Sequence, residues 1–123
     1  FCKLLVQNKT LTVFGNGEQT RDFVYAGDIA QAAAKAVALT GYNVINISTG
    51  KETSLNSLLD AFKSACGHEL TVNYVPARSG DIFRSVLSNK KLEALLGFVP
   101  QMDIEHGIPK IYNDYLARRK EGL

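Results

Sequence analysis

Two alternating periods of apolar residues organise the chain. In residues 1–8, Phe1, Leu4 and Leu5 share one side of a helix that Asn8 stops. Leu11–Phe14 has the β-branched and aromatic bias of a strand, and Gly15-Asn16-Gly17 is a turn signal, because these residues tolerate positive φ. Arg21–Tyr25 reads as a second strand following a hairpin-like turn. Its period of two puts Arg21, Phe23 and Tyr25 on one face, with Asp22 and Val24 on the other. From Gly27 the period turns helical. Ile29, Ala32, Ala33, Ala36 and Val37 form one stripe, Asp28 sits in the first turn where a carboxylate can accept backbone N–H groups, and Gly41 closes the segment.

Val44, Ile45 and Ile47 predict a short strand of a covered sheet. Thr53 or Ser54 caps an amphipathic helix carrying Leu55, Leu58, Leu59, Phe62 and Cys66, which Gly67 ends. Leu70–Val75 alternates as a strand up to Pro76, and residues 76–81 are a loop. Ser88 is placed to cap a helix through Lys91, Leu92, Leu95 and Leu96, stopped by Gly97 and Pro100. Ile104, Ile108, Ile111, Tyr112 and Tyr115 mark a last helix with a basic end, Arg118-Arg119-Lys120. The pattern is mixed α/β, made of short strands and helices, without repeats or linkers.

Composition narrows the function classes. At 123 residues the chain has one domain's worth of core, and 46% hydrophobic residues with a net charge of +2 argue against disorder. Fourteen Lys+Arg against twelve Asp+Glu are too balanced to point to nucleic acid or an anionic membrane. No apolar run approaches the ~20 residues of a spanning helix, and no signal-peptide order stands at the start. Two cysteines, Cys2 and Cys66, make no disulfide framework, so a reducing, cytoplasmic compartment is expected. The basic end lacks interleaved aromatics and reads as a solvated helix terminus.

Most catalytic and binding patterns are missing. Gly15 and Gly17 form a G-x-G, but the turn feeds a strand, so no helix N-terminus follows to receive a dinucleotide pyrophosphate. His68 and His106 are far apart, and Cys66-x-His68 has no second pair at ligand spacing, so no metal site is expected. Nothing puts a base beside Cys66 or Ser85. Cys66 reads as an apolar stripe residue and His68 as a surface loop residue. Two arginines remain. Arg21 begins a strand after a tight turn, and Arg78 shares a loop with Gly80 and Asp81. A guanidinium fork suits phosphate, and a nearby carboxylate suits ribose hydroxyls. The plain alternative is that Arg21–Asp22 and Arg78–Asp81 are surface ion pairs, which contribute ~0–1 kcal/mol.

At these residues the chain resembles the extended short-chain dehydrogenase/reductases, the NAD-dependent nucleotide-sugar epimerases and dehydratases. GNGEQTRDFVYAGDIAQAA is similar to the family's G-D-G-x-Q-x-R-D-F-x-x-V-x-D segment, and NVINISTG to its N-x-x-N-I-G-x-G strand. SLNSLLDAF is similar to the helix that follows, PARSGDIFRS to the P-x-R-x-G-D-x-x-x-S loop, and LLGFVPQMDIEHGI to the closing motif. The motifs are collinear over nearly the whole chain. Asn16 replaces the usual Asp, Ala26 a Val and Ser88 an Asp, and none of these touches the arginines.

The resemblance implies that residues 1–123 are the C-terminal, substrate-binding portion of an extended Rossmann-type epimerase, most similar to UDP-sugar 4-epimerases. The opening without Met and the half-helix at Phe1 fit that expectation. NAD would be bound mainly by an N-terminal portion absent here, together with the catalytic Tyr-x-x-x-Lys pair. None of Tyr25, Tyr74, Tyr112 and Tyr115 has a lysine four residues on. By resemblance, Arg21 and Arg78 clamp a substrate pyrophosphate, Asp81 reaches the ribose, Thr12 and Phe14 frame the uracil, and Phe23 lines the pocket. The fragment alone would be inactive. It would be a homo-oligomer or segment-swapped dimer, because Ala32, Ala33, Ala36 and Val44, Ile45, Ile47 would be left partly bare. The alternative is a stand-alone, non-catalytic nucleotide-sugar-binding or protein-interaction module.

Overall fold

A computed structural model describes residues 1–120. Helix α1 (Cys2–Val6) leads through Asn8, whose φ is +54°, into strand β1 (Leu11–Phe14). Strand β2 (Thr20–Arg21) and helix α2 (Ala26–Ala36) follow. Strand β3 (Thr53–Ser54) then runs straight into helix α3 (Leu55–Cys66). Strand β4 (Val72–Val75), helix α4 (Lys90–Leu96) and helix α5 (Ile104–Lys120) complete the order. The mixed α/β expectation holds.

The sheets are two short pairs. β1 lies parallel to β4 with Leu11 opposite Val72 and Phe14 opposite Val75, whereas β2 lies antiparallel to β3 with Thr20 opposite Ser54. The 15–17 turn is therefore not a hairpin, since the strands on its two sides belong to different sheets. Parallel pairing needs a distant partner, which local turn chemistry cannot reveal.

The main core joins Leu5 and Val6 of α1, Leu11 and Val13 of β1, Leu58, Leu59 and Phe62 of α3, and Ile108 and Tyr112 of α5. Burying each large aliphatic side chain contributes about 1.5–3 kcal/mol. Leu11 is the centre of this set and has no exposed surface. Helix α3 starts as its sequence predicts, with Ser54 Oγ accepting the Ser57 N–H at 3.0 Å, and Gly67 ends it. A second, smaller cluster joins Ala32 of α2, Leu92 of α4 and Phe98, with Ile45, Ile47 and Leu96 packed against it.

Several expectations are corrected. The second strand stops at Arg21, because β3 offers only two residues and Asp22 turns away to hold another loop. Phe23 and Tyr25 thus leave the strand, and Tyr25 becomes the extended residue that opens α2. α2 ends at Ala36, short of Gly41. Ala32 is fully buried rather than bare, while Ala33 is exposed. β4 begins at Val72, not Leu70. Asn89, not Ser88, stands at the N-cap of α4 and its side chain donates to Thr49 O instead. Residues 44–47 form no strand, since no segment among the described residues pairs with them, although their alternation survives. Val44 is 61% exposed, and Ile45 and Ile47 turn inward. No helix among the described residues is long and apolar enough to cross a membrane.

Candidate functional site

The site builds from the ends of β1 and β4. Phe14 closes β1, and its neighbour Gly15 donates to Val75 O at 2.8 Å. Gln19 reaches back to donate from Nε2 to Phe14 O at 2.6 Å, closing the 15–19 turn. From Val75 the chain enters the 76–84 loop, and there the Arg78 guanidinium carbon lies 3.5 Å from the Phe14 ring centroid. The ring gives the exposed cation an apolar and electrostatic seat. Asp81 N–H donates to Arg78 O at 3.3 Å across a turn in which Gly80 has φ +86°, the value a type II turn requires at its third residue. That turn fixes Asp81 close to Arg78 in the chain without an ion pair between them. Thr12 stands exposed in the middle of β1.

The same loop then returns to β2. Thr20 N–H donates to Phe83 O at 2.8 Å, and Thr20 forms a parallel bridge with Arg84. β2 is thus enclosed between β3 on one side and residues 83–84 on the other. An ion pair from Arg84 Nε to Glu52 spans these two flanks. Arg21, at the end of β2, donates from Nη1 to Thr20 O at 2.7 Å. Among the described residues neither Arg21 nor Arg78 has a carboxylate within 4.0 Å, so the surface ion-pair alternative fails for both.

Phe23 occupies a different place. It packs against the main core and contributes to a groove of about 490 Å³. One wall of the groove runs through Thr49–Thr53 and the other through Val99–Glu105. None of Thr12, Phe14, Arg21, Arg78 and Asp81 lines it. The shared strand face that would have joined Phe23 to Arg21 does not exist.

Two carboxylates that sequence reasoning undervalued hold these walls. Asp22 accepts from Thr49 N at 3.0 Å, Thr49 Oγ1 at 2.5 Å and Gly50 N at 3.0 Å. Asp28, only 3% exposed, accepts from Gln101 N at 3.0 Å and Met102 N at 2.9 Å. The expected role of Asp28 in the first turn of its own helix is replaced by a tether to a distant loop. A buried charge needs such partners. At the groove rim, Asp103 accepts from the N–H and Nδ1 of His106, and these bonds hold its carboxyl below the usual carboxylate range. Burial pushes the Cys2 thiol upward, and burial with a Cys66 hydrogen bond does the same for the Tyr112 phenol. Among the described residues no group of His, Cys, Asp and Glu could hold a metal.

Arg21 in β2 and Arg78 in the 76–84 loop thus stand without a carboxylate partner among the described residues of this α/β unit. The chain belongs to the GDP-mannose 4,6 dehydratase family, whose model matches residues 2–111, among the extended short-chain dehydrogenase/reductases that include nucleotide-sugar epimerases and dehydratases. A Methanocaldococcus jannaschii protein provisionally named UDP-glucose 4-epimerase is 41% identical over 114 residues, 92% of this chain and 36% of the relative. The Thermotoga maritima UDP-glucose 4-epimerase, solved with UDP-glucose, superposes with a TM-score of 0.86 at 29% identity, over 98% of this chain and 38% of that one. The Bacillus cereus UDP-glucuronic acid 4-epimerase, solved with UDP-glucuronic acid and NAD, has a TM-score of 0.85 at 26% identity, over 96% of this chain and 38% of that one. The chain spans little more than a third of the length of these relatives.

Proposed function

We propose that this chain is the substrate-binding part of an NAD-dependent nucleotide-sugar epimerase, that a UDP-sugar is its ligand, and that 4-epimerisation is the reaction it serves. The observation that carries the reading is the pair Arg21 and Arg78. Among the described residues both lack a carboxylate partner, Arg78 where the 76–84 loop begins and Arg21 at the end of the strand to which that loop returns. A diphosphate received between them would gain charge-assisted hydrogen bonds of ~1.5–3 kcal/mol each. Asp81, one tight turn from Arg78, would accept from ribose hydroxyls, while Thr12 and the Phe14 edge would frame the base. Phe23 would contribute as the apolar wall of its own groove.

The residues described do not fit the cofactor itself. The 15–17 turn feeds β2 rather than a helix, and the first turn of α2 carries the buried Asp28 carboxylate, which would repel a pyrophosphate. NAD and the hydride chemistry it supplies are therefore assigned mainly to a portion outside these residues. None of the five tyrosines has a lysine four residues on. This part would supply grip, and remote grip orients the sugar for chemistry done elsewhere. The unpaired 44–47 segment and α2 would pack with that other portion.

Calorimetric titration of UDP into the full-length protein tests the reading. Arg21→Ala and Arg78→Ala are each expected to weaken binding by about ten- to a hundredfold. Unchanged affinity in both overturns it. The 123-residue chain alone, given NAD and UDP-glucose, is expected to show no epimerisation, and turnover there would refute a purely substrate-binding role.

A further inference from the structure

We propose that Asp22 is the positioning residue for Arg21, holding the diphosphate-binding guanidinium in place through the 49–50 loop while being kept from neutralising it. The inference rests on the proposed function and goes one residue beyond it. Strand β2 is only two residues long, too short for its own ladder to fix a long side chain. What fixes it comes immediately after. The Asp22 carboxylate takes three donors from Thr49 and Gly50, and that loop runs through Lys51 and Glu52 into Thr53, the residue paired with Arg21. Asp22 therefore closes a ring of backbone that begins and ends at Arg21.

The pairing also sorts the faces. Thr20, Ser54 and Arg84 are bridge partners and share one face of this small sheet, and Glu52, two residues before Ser54, lies on the same side, where it meets Arg84. Arg21 and Thr53 share the opposite face. The acid adjacent to Arg21 in sequence is saturated by neutral donors, and the nearby acid Glu52 is taken by Arg84. Asp22 and Glu52 are thus engaged elsewhere, and among the described residues no carboxylate pairs with Arg21, which leaves its fork available to an anion.

The test is a double-mutant cycle on the full-length protein, read by UDP titration and by thermal unfolding. Asp22→Asn is expected to weaken UDP binding about five- to twentyfold in the native background and less than about twofold in the Arg21→Ala background. Its loss of unfolding temperature should be equal in both backgrounds. Thr49→Val removes only the hydroxyl donor and is expected to show the same dependence on Arg21 at about two- to fivefold, so the cycle survives if Asp22→Asn does not fold. Either variant weakening UDP equally in both backgrounds means a general structural role and overturns the inference, as does native affinity in both variants. If Arg21→Ala alone binds UDP normally, this inference fails while the proposed function stands; if Arg21→Ala and Arg78→Ala both do, the proposed function fails, and the two failures are thereby separated.

Discussion

The guanidinium carbon of Arg78 lies over Phe14, 3.5 Å from the ring centroid, joining the end of β1 to the start of the 76–84 loop. An exposed cation on a loop would otherwise sample many rotamers, and ordering it on binding would cost entropy. Seating it on the ring removes part of that cost beforehand. Phe14→Leu keeps an apolar side chain and deletes the π face, which contributes about 0.5–2 kcal/mol in such pairs. We expect UDP affinity to fall by a corresponding few-fold to about thirtyfold, measured by calorimetry, with little change in unfolding temperature.

Asp28 carries the link between α2 and the loop that opens α5. Asp28→Asn replaces a carboxylate that satisfies two backbone N–H groups with an amide whose own N–H group would then need a partner in a buried site. A loss of about 1–3 kcal/mol is expected in urea unfolding. A variant as stable as the native chain would show that the Gln101 and Met102 amides find water instead.

How much of this was legible in the sequence depends on the distance of each partner. Helix α3 could be read from Ser54 to Gly67 because its cap, stripe and stop are local. The polar contacts that shape the site are not local. Asp22 meets Thr49 across 27 residues and Asp28 meets Gln101 across 73. Residues 44–47 kept the alternation of a strand but lack a partner among the described residues, and a strand is defined by its partner as much as by its pattern. The arginines were singled out by chemistry alone. The structure added what an ion-pair reading would have got wrong: Asp22, beside Arg21, is occupied by Thr49 and Gly50, and Arg78 lies over Phe14 without an ion pair to Asp81.

Gly17 is a test of the 15–19 turn. Its φ is +79°, and a Cβ there would clash with Asn56 Oδ1. Asn56 donates to Asn16 O at 3.1 Å and to Glu18 Oε1 at 2.6 Å, and accepts from the Tyr74 hydroxyl at 3.0 Å, so it cannot swing away without losing these bonds. Gly17→Ala is expected to cost about 1–3 kcal/mol in chemical unfolding, from backbone strain and the displaced amide together. Asn56→Ala with Gly17→Ala should lose less than the two separate changes added.

The Asp103–His106 contact at the start of α5 gives a pH dependence with a definite sign. Hydrogen bonds from the His106 ring and backbone lower the Asp103 carboxyl in the folded chain. Its contribution to stability is present above the unfolded carboxyl value of about 3.9 and is lost as the pH falls through the lower folded value. The pair is exposed, so the effect is small and weakened by salt. The difference in unfolding temperature between the native chain and Asp103→Ala is expected at pH 6 and should shrink below about pH 4.

The last expectation concerns the 44–47 segment. Its backbone forms no ladder among the described residues, its inner side chains Ile45 and Ile47 are anchored against Ala32, Leu92 and Phe98, and its outer face carries the exposed Tyr42 and Val44. A segment that alternates inward and outward side chains and leaves its backbone unladdered is a template for another strand. In the proposed enzyme that strand belongs to the cofactor-binding portion, and amide hydrogens of residues 44–47 should exchange slowly there. In the 123-residue chain by itself the same edge is expected to pair with a second copy. Association rising with concentration in light scattering, reduced by Val44→Lys, would bear this out. A chain that stays monomeric at high concentration, with fast exchange at 44–47, would mean that side-chain anchoring alone holds the segment in place.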